Sequence, residues 1–207
     1  MASESTTDET RSYKKRRRAD QEAKTRERIA AAAVKLHGTI GPARTTVAGV
    51  ARKAGVQRAT VYRHFPTEVD LFDACTAHYW SRHPMPDPSA WAAIEDPRKR
   101  LRLALGEMYG FFRANEPMLE KTSRDAPLVP AMNAAREGFL AFLNYAAGII
   151  VAGRPERGRA RKRVEAAVGH ALLFGTWQSL VRIQGLDEAE AVALMAAMIE
   201  AAGGAKA

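Results

Sequence analysis

The chain has 207 residues, 46% hydrophobic and 27% charged, with a net charge of +9 and a single cysteine. It is long enough to bury a core, one cysteine excludes an internal disulfide framework, and no secretory leader is expected at the N-terminus, which predicts a cytoplasmic protein. The charge is unevenly placed: residues 1–66 hold 15 Lys and Arg against 6 Asp and Glu, whereas residues 67–207 hold 17 of each. The first third therefore expects an anionic partner.

Residues 1–19 are Ser, Thr, acidic and then strongly basic, with the run YKKRRR at 13–18 and almost nothing to bury. They are expected to form a disordered basic tail, either a solubilising end or a mobile arm that adds phosphate contacts. From Asp20 to His37 the pattern changes, because Ile29, Ala32, Ala33 and Leu36 recur at helical spacing. An amphipathic helix follows, stopped by Gly38 and by Gly41-Pro42.

Thr45 or Thr46 can cap a second helix carrying Val47, Val50, Ala51 and Ala54 on one face. Gly55 breaks it, Val56 plugs the turn, and a third helix is predicted from about Gln57 to Phe65 before Pro66. Helix, short glycine turn and helix make a helix-turn-helix. Its second helix buries Val61 and Phe65 and leaves Gln57, Arg58, Thr60, Tyr62, Arg63 and His64 outside, a set with donors that suit both phosphates and base edges of duplex DNA.

A fourth helix is expected from Thr67 to about Tyr79, then a Pro-rich linker over 83–97, then helices at about 98–115, 117–124, 128–152, 161–184 and 187–202, with a solvated basic loop at 154–163. No alternating apolar stretch requires a strand, so the class is all-α. No uninterrupted apolar run reaches the roughly 18 residues of a membrane helix, and no membrane partner is expected.

Two rows of small residues, Ala167, Ala171, Gly175 and Ser179 and then Ala189, Ala193, Ala197 and Ala201, recur every four positions in the last two predicted helices. Such flat faces allow close helix packing and predict a homodimer through these helices. Met108, Tyr109, Phe112, Met132, Phe139, Phe142, Leu143, Phe174 and Trp177 are candidates to line a pocket for an apolar small molecule, with Arg113, Asn144 and Gln178 as polar anchors.

Cys75, His78 and His83 lack a fourth ligand for a metal site, and no P-loop, G-x-S-x-G or H-E-x-x-H motif occurs. The sequence predicts no enzyme, no metal and no cofactor.

The run TTVAGVARKAGVQRATVYRHFPTEVDLF, within residues 25–72, resembles the N-terminal domain of TetR-family transcriptional regulators. The resemblance implies a dimeric repressor whose first three helices bind an operator in double-stranded DNA and whose remaining helices bind a small effector. It implies a DNA-binding set of Arg44, Thr45, Thr46, Gln57, Arg58, Ala59, Thr60, Tyr62, Arg63 and His64, with Thr46 as cap and phosphate contact. It divides the chain into the tail 1–19, a DNA-binding domain 20–66 and an effector-binding and dimerisation domain 67–207. Glu68 stands where the family commonly has Lys or Arg. The alternative reading is a basic helical protein that binds nucleic acid or anionic membranes without sequence preference.

Overall fold

The computed structural model describes the backbone of residues 4–204 and the side chains of residues 13–204. The described residues are mostly helical, the helices joined by turns and short loops, with no strand among them. Two compact units emerge, one of residues 1–82 and 121–132 and the other of residues 83–120 and 133–207. The first unit is thus larger than the predicted 20–66 domain, because the fourth helix and a later segment fold with it.

In the first unit, α1 spans Glu4–His37, α2 Val47–Ala54, α3 Arg58–His64 and α4 Glu68–Trp80. Of the apolar row its spacing marks on α1, Ile29, Ala32 and Ala33 are buried and join Val50, Ala51, Ala54, Val61, Phe65, Leu71 and Cys75 in one core, while Leu36 is partly buried against it. Polar residues flank that stripe, so the helix has one side to bury and one to solvate.

The tail expected to be disordered is instead helical from Glu4 onward, only residues 1–3 of it lying outside the described residues. Residues 13–18 are exposed all round. Lys, Arg and Glu lose little rotamer freedom in a helix, and a helix already nucleated by the packed segment at 29–36 extends one bond per residue without a new nucleus.

The end of α1 carries His37, 5% exposed, stacked on Phe72 with ring centroids 4.8 Å apart and its Nδ1 3.6 Å from Cys75 Sγ. Burial lowers the imidazole to about 4, with the negative charge of Asp125 pulling the other way. Between that value and the ordinary 6.5 the unfolded chain binds the proton that the folded chain refuses, so stability rises with pH across this window and is lost as pH falls through it. We expect about 3 kcal/mol less stability near pH 4 than near pH 7 from this group, and His37→Gln should flatten that part of a urea-unfolding pH series. An unchanged slope in the variant would contradict the assignment.

In the second unit, α5 spans Pro88–Ala92, α6 starts at Pro97 and ends at Asp125 with its last turn in the first unit, α7 spans Asn133–Val151, α8 Gly158–Ala171, α9 Phe174–Trp177 and α10 Glu188–Gly204. The segment predicted as a linker contains α5, since Pro88 sits in its first turn, Asp87 caps it by accepting from Ser89 N, and Trp91 is fully buried with its Nε1 donating to Glu107. The two helices predicted at 98–115 and 117–124 are one, with Pro117 inside. A proline forfeits one helical hydrogen bond, and the buried Phe111 and Phe112 before it and Leu119 after it hold both halves in place.

The predicted helix 128–152 starts late, because Pro127 and Pro130 confine residues 126–132 to two short 3-10 turns. The predicted helix 161–184 is broken after Ala171: Thr176 Oγ1 donates to the His170 carbonyl at 2.6 Å, and the chain re-enters helix at Phe174 and widens into a π-helix over Gln178–Ile183. The small-residue row from Ala167 to Ser179 therefore does not lie on one helix. Arg100, only 6% exposed, ties the unit together by donating to the carbonyls of Ile94, of Ile149 in the last turn of α7 and of Ala152 just after it.

One stretch, Pro130–Val151, is long and apolar enough to cross a membrane by length and composition, with mean hydropathy 1.2, where the sequence reading expected none. The expectation rests on residues 141–153, which contain Asn144 and stop at Arg154, whereas this stretch begins at Pro130 and runs across Arg136 and Glu137.

Candidate DNA-binding surface

The turn between α2 and α3 is built from backbone chemistry. Thr46 caps α2, its hydroxyl accepting from Gly49 N at 3.1 Å, while the Thr45 hydroxyl donates to the Gly41 carbonyl. At the other end Gly55 adopts φ 64°, ψ 41°, a left-handed conformation that strains residues with a Cβ. Val56 N then donates to Ala51 O at 3.0 Å and Gly55 N to Arg52 O at 3.3 Å, which closes the helix with paired carbonyls and reverses the chain into α3.

Seven residues form α3, and its two faces differ sharply. Val61 and the following Phe65 are 1% and 2% exposed. Gln57, Arg58, Ala59, Tyr62 and Arg63 are exposed and Thr60 is half-buried; ahead of α2, Arg44 and Thr46 are exposed and Thr45 is half-buried. Gln57 makes no capping bond with its side chain, which leaves its amide for an external partner. This is the arrangement a groove-entering helix needs: an anchored inner side and an outer side of long donors.

His64 differs from its neighbours. It is half-buried, its Nε2 is enclosed without a hydrogen-bond partner, and its ring lies 6.5 Å from that of Phe65. The position at the last turn of α3 turns this side chain toward the protein, so it does not share the outward face of Arg58, Tyr62 and Arg63.

Thr67 and Asp70 form a reciprocal capping box at the start of α4, and the hydrogen bonds from Thr67 hold the Asp70 carboxyl below the usual carboxylate range. Glu68 is exposed in the first turn of α4, where a negative charge suits the helix dipole.

Two supports of this surface escape sequence reasoning. On α1, the Arg26 guanidinium lies 4.2 Å from the Phe65 ring centroid and donates to the His64 carbonyl at 2.6 Å. At the loop before α2, Asp125 accepts from Ala43 N at 3.0 Å and from Arg124 Nε at 2.6 Å, packed so closely that a side chain at Gly41 would collide with both. Sequence separations of 38 and 82 residues carry no local signal.

The effector candidates divide between the units. Met132 belongs to the first unit. In the second, Met108, Tyr109, Phe112, Leu143, Phe174 and Trp177 are buried, with Phe112 at 6.3 Å from Tyr109, 5.8 Å from Phe174 and 6.3 Å from Trp177. Phe139 and Phe142 are half-buried and stack on each other. Of the expected polar anchors, Arg113 is exposed and faces Glu188 at 3.5 Å, Asn144 is exposed and Gln178 is half-buried. Tyr109 Oη and Trp177 Nε1 are enclosed and without a hydrogen-bond partner. Among the described residues no group of three or more His, Cys, Asp or Glu is placed to hold a metal.

Residues 29–75 match the family model of the bacterial regulatory proteins, tetR family. Among solved structures, a TetR transcription regulator from Haloarcula marismortui superimposes with a TM-score of 0.56 at 17% identity, covering 87% of this chain and 97% of that chain. A transcriptional regulator from Rhodococcus sp. Rha1 gives 0.56 at 20% identity over 84% and 95%, and FadR from Bacillus subtilis, solved with stearoyl-CoA, gives 0.55 at 18% over 87% and 98%. No curated protein sequence matches the chain. The protein has the fold of TetR-type transcriptional regulators, and its helix-turn-helix lies within the residues that match that family's model.

Proposed function

We propose that this chain is a cytoplasmic, homodimeric repressor that binds a two-fold DNA operator through α3 and releases it when a small, largely apolar effector enters the second unit. The observation that carries the DNA reading is the two-faced α3, anchored by Val61 and Phe65 and presenting Gln57, Arg58, Tyr62 and Arg63 to solvent behind a left-handed Gly55 turn. Electrostatic attraction alone needs the positive charge but not this turn, its cap at Thr46 or the polar face they aim.

Dimerisation is supported by α10. Ala189, Ala193, Ala197 and Ala201 are all exposed in the single chain, and Leu194 and Met198 stand beside them at 41% and 53% exposure. A flat apolar face of this kind suits close packing against a second copy, and a two-fold DNA site fixes the register of two recognition helices.

The effector reading is supported by Tyr109 and Trp177. A buried hydroxyl or indole N–H without a partner costs about 1–3 kcal/mol, so two of them around Phe112 suit a ligand that brings an acceptor. The π-helix that follows Trp177 is a widened turn of a type that recurs at functional sites. Burial raises the Tyr109 phenol to about 12, which keeps it a neutral donor at physiological pH. The test is competition for duplex DNA: a sequence selected from a random pool should displace bound DNA far better than random duplex at the same salt, and equal competition would sink the proposal.

A further inference from the structure

We propose that Arg26, on α1, is a positioning residue that sets the docking angle of α3, and thereby governs discrimination between operator and random DNA; the inference rests on the regulator reading above. A helix of seven residues has no stability of its own in water, where isolated helices shorter than about 12–15 residues are marginal, so its direction is dictated by what holds its two ends. The N-terminal end is fixed by the Gly55 turn. The C-terminal end is fixed by Phe65 in the core and by Arg26, which lies over the Phe65 ring and donates to the carbonyl of His64, one of the end carbonyls that α3 cannot satisfy internally.

The chemistry of the contact asks for arginine. A planar guanidinium stacks on an aromatic face and still directs an N–H sideways, whereas an ammonium at the end of a flexible stem gives one interaction at the expense of the other. Arg26 itself is exposed, so changing it removes no buried volume and leaves the core beneath α3 filled. Freed at this end, α3 can pivot about its glycine turn. Bidentate contacts to base edges need each side chain within hydrogen-bond range, while phosphate contacts tolerate displacement, so a pivot weakens sequence reading more than overall attraction.

Arg26→Lys is the decisive variant because it keeps the charge and loses the fork. Affinities for a selected operator and for random duplex, salt dependence and melting temperature should be measured for wild type, Arg26→Lys and Arg26→Ala. The lysine variant should keep the wild-type salt slope, random-DNA affinity and melting behaviour while its operator-to-random ratio falls about tenfold, the size of one good base contact. A wild-type ratio in Arg26→Lys overturns the inference and leaves Arg26 as a plain phosphate charge. Loss of both affinities together with a lowered melting temperature in both variants also overturns it, as the mark of a purely structural contact. A wild-type protein without any operator preference overturns the regulator reading itself, and the inference with it.

Discussion

Deleting residues 1–19 should flatten the salt dependence of DNA binding while leaving sequence preference intact. The run from Lys14 to Arg18 is helical and exposed, so successive side chains point about 100° apart and at most three of the five share a narrow side, either Arg17, Lys14 and Arg18 or Lys14, Arg18 and Lys15. Each phosphate neutralised adds about 0.9 to the slope of log affinity against log salt, so three contacts predict a fall of about 2 to 3 in that slope. A flexible tail could wrap and bring all five charges to the phosphates, giving a larger change. Because phosphate contacts carry no base information, the ranking of DNA sequences should be unchanged. Titrations of full-length and shortened protein across a range of salt would show this, and an unchanged slope would return the segment to a solubilising role.

Phe65→Ala should destabilise the protein by about 3–5 kcal/mol, and Arg63→Ala should hardly destabilise it at all. Phe65 is 2% exposed and sits in the core with Ile29, Val50 and Val61, so its removal leaves a void and also strips the aromatic face from under Arg26. Arg63, two residues earlier and exposed, supports nothing inside. Its loss should instead weaken operator binding by about 1–3 kcal/mol with a normal melting curve. Urea unfolding beside DNA titration separates the two. If Arg63→Ala unfolded the protein, or bound operator like wild type, the division of α3 into an inner and an outer face would be wrong.

The helix-turn-helix was legible because its signals are local. Gly55 requires a left-handed turn, Thr46 lies three residues before the N–H it caps, and the apolar spacing of α1 and α2 marks their buried sides. Less was legible where a long-range contact overrides a local rule. Pro117 reads as a helix stop, yet the flanking buried Phe112 and Leu119 keep α6 continuous. Ala171 and Gly175 read as one helical row, yet the Thr176 hydroxyl takes the His170 carbonyl and breaks the helix between them. The supports at Arg26 and Asp125, and the inward turn of His64, come from chain segments brought together only by folding, and no spacing rule anticipates them. In the second unit the apolar pattern marks Tyr109, Phe112, Phe174 and Trp177 as interior without saying that Tyr109 and Trp177 would end with unpaired polar atoms.

The central claim is that α3 reads a DNA sequence as one of a symmetric pair. Selection of bound duplexes from a random pool by the full-length protein, at fixed salt, tests it most directly. The expected result is enrichment of a two-fold-symmetric sequence whose half-sites are centred about 34–36 Å apart, or a multiple of that, on the same face of the duplex, and whose binding falls when Arg63 is replaced. A pool that stays random after repeated rounds, while the protein still binds DNA tightly at low salt, would contradict it and leave a basic helical protein that holds phosphates without reading bases.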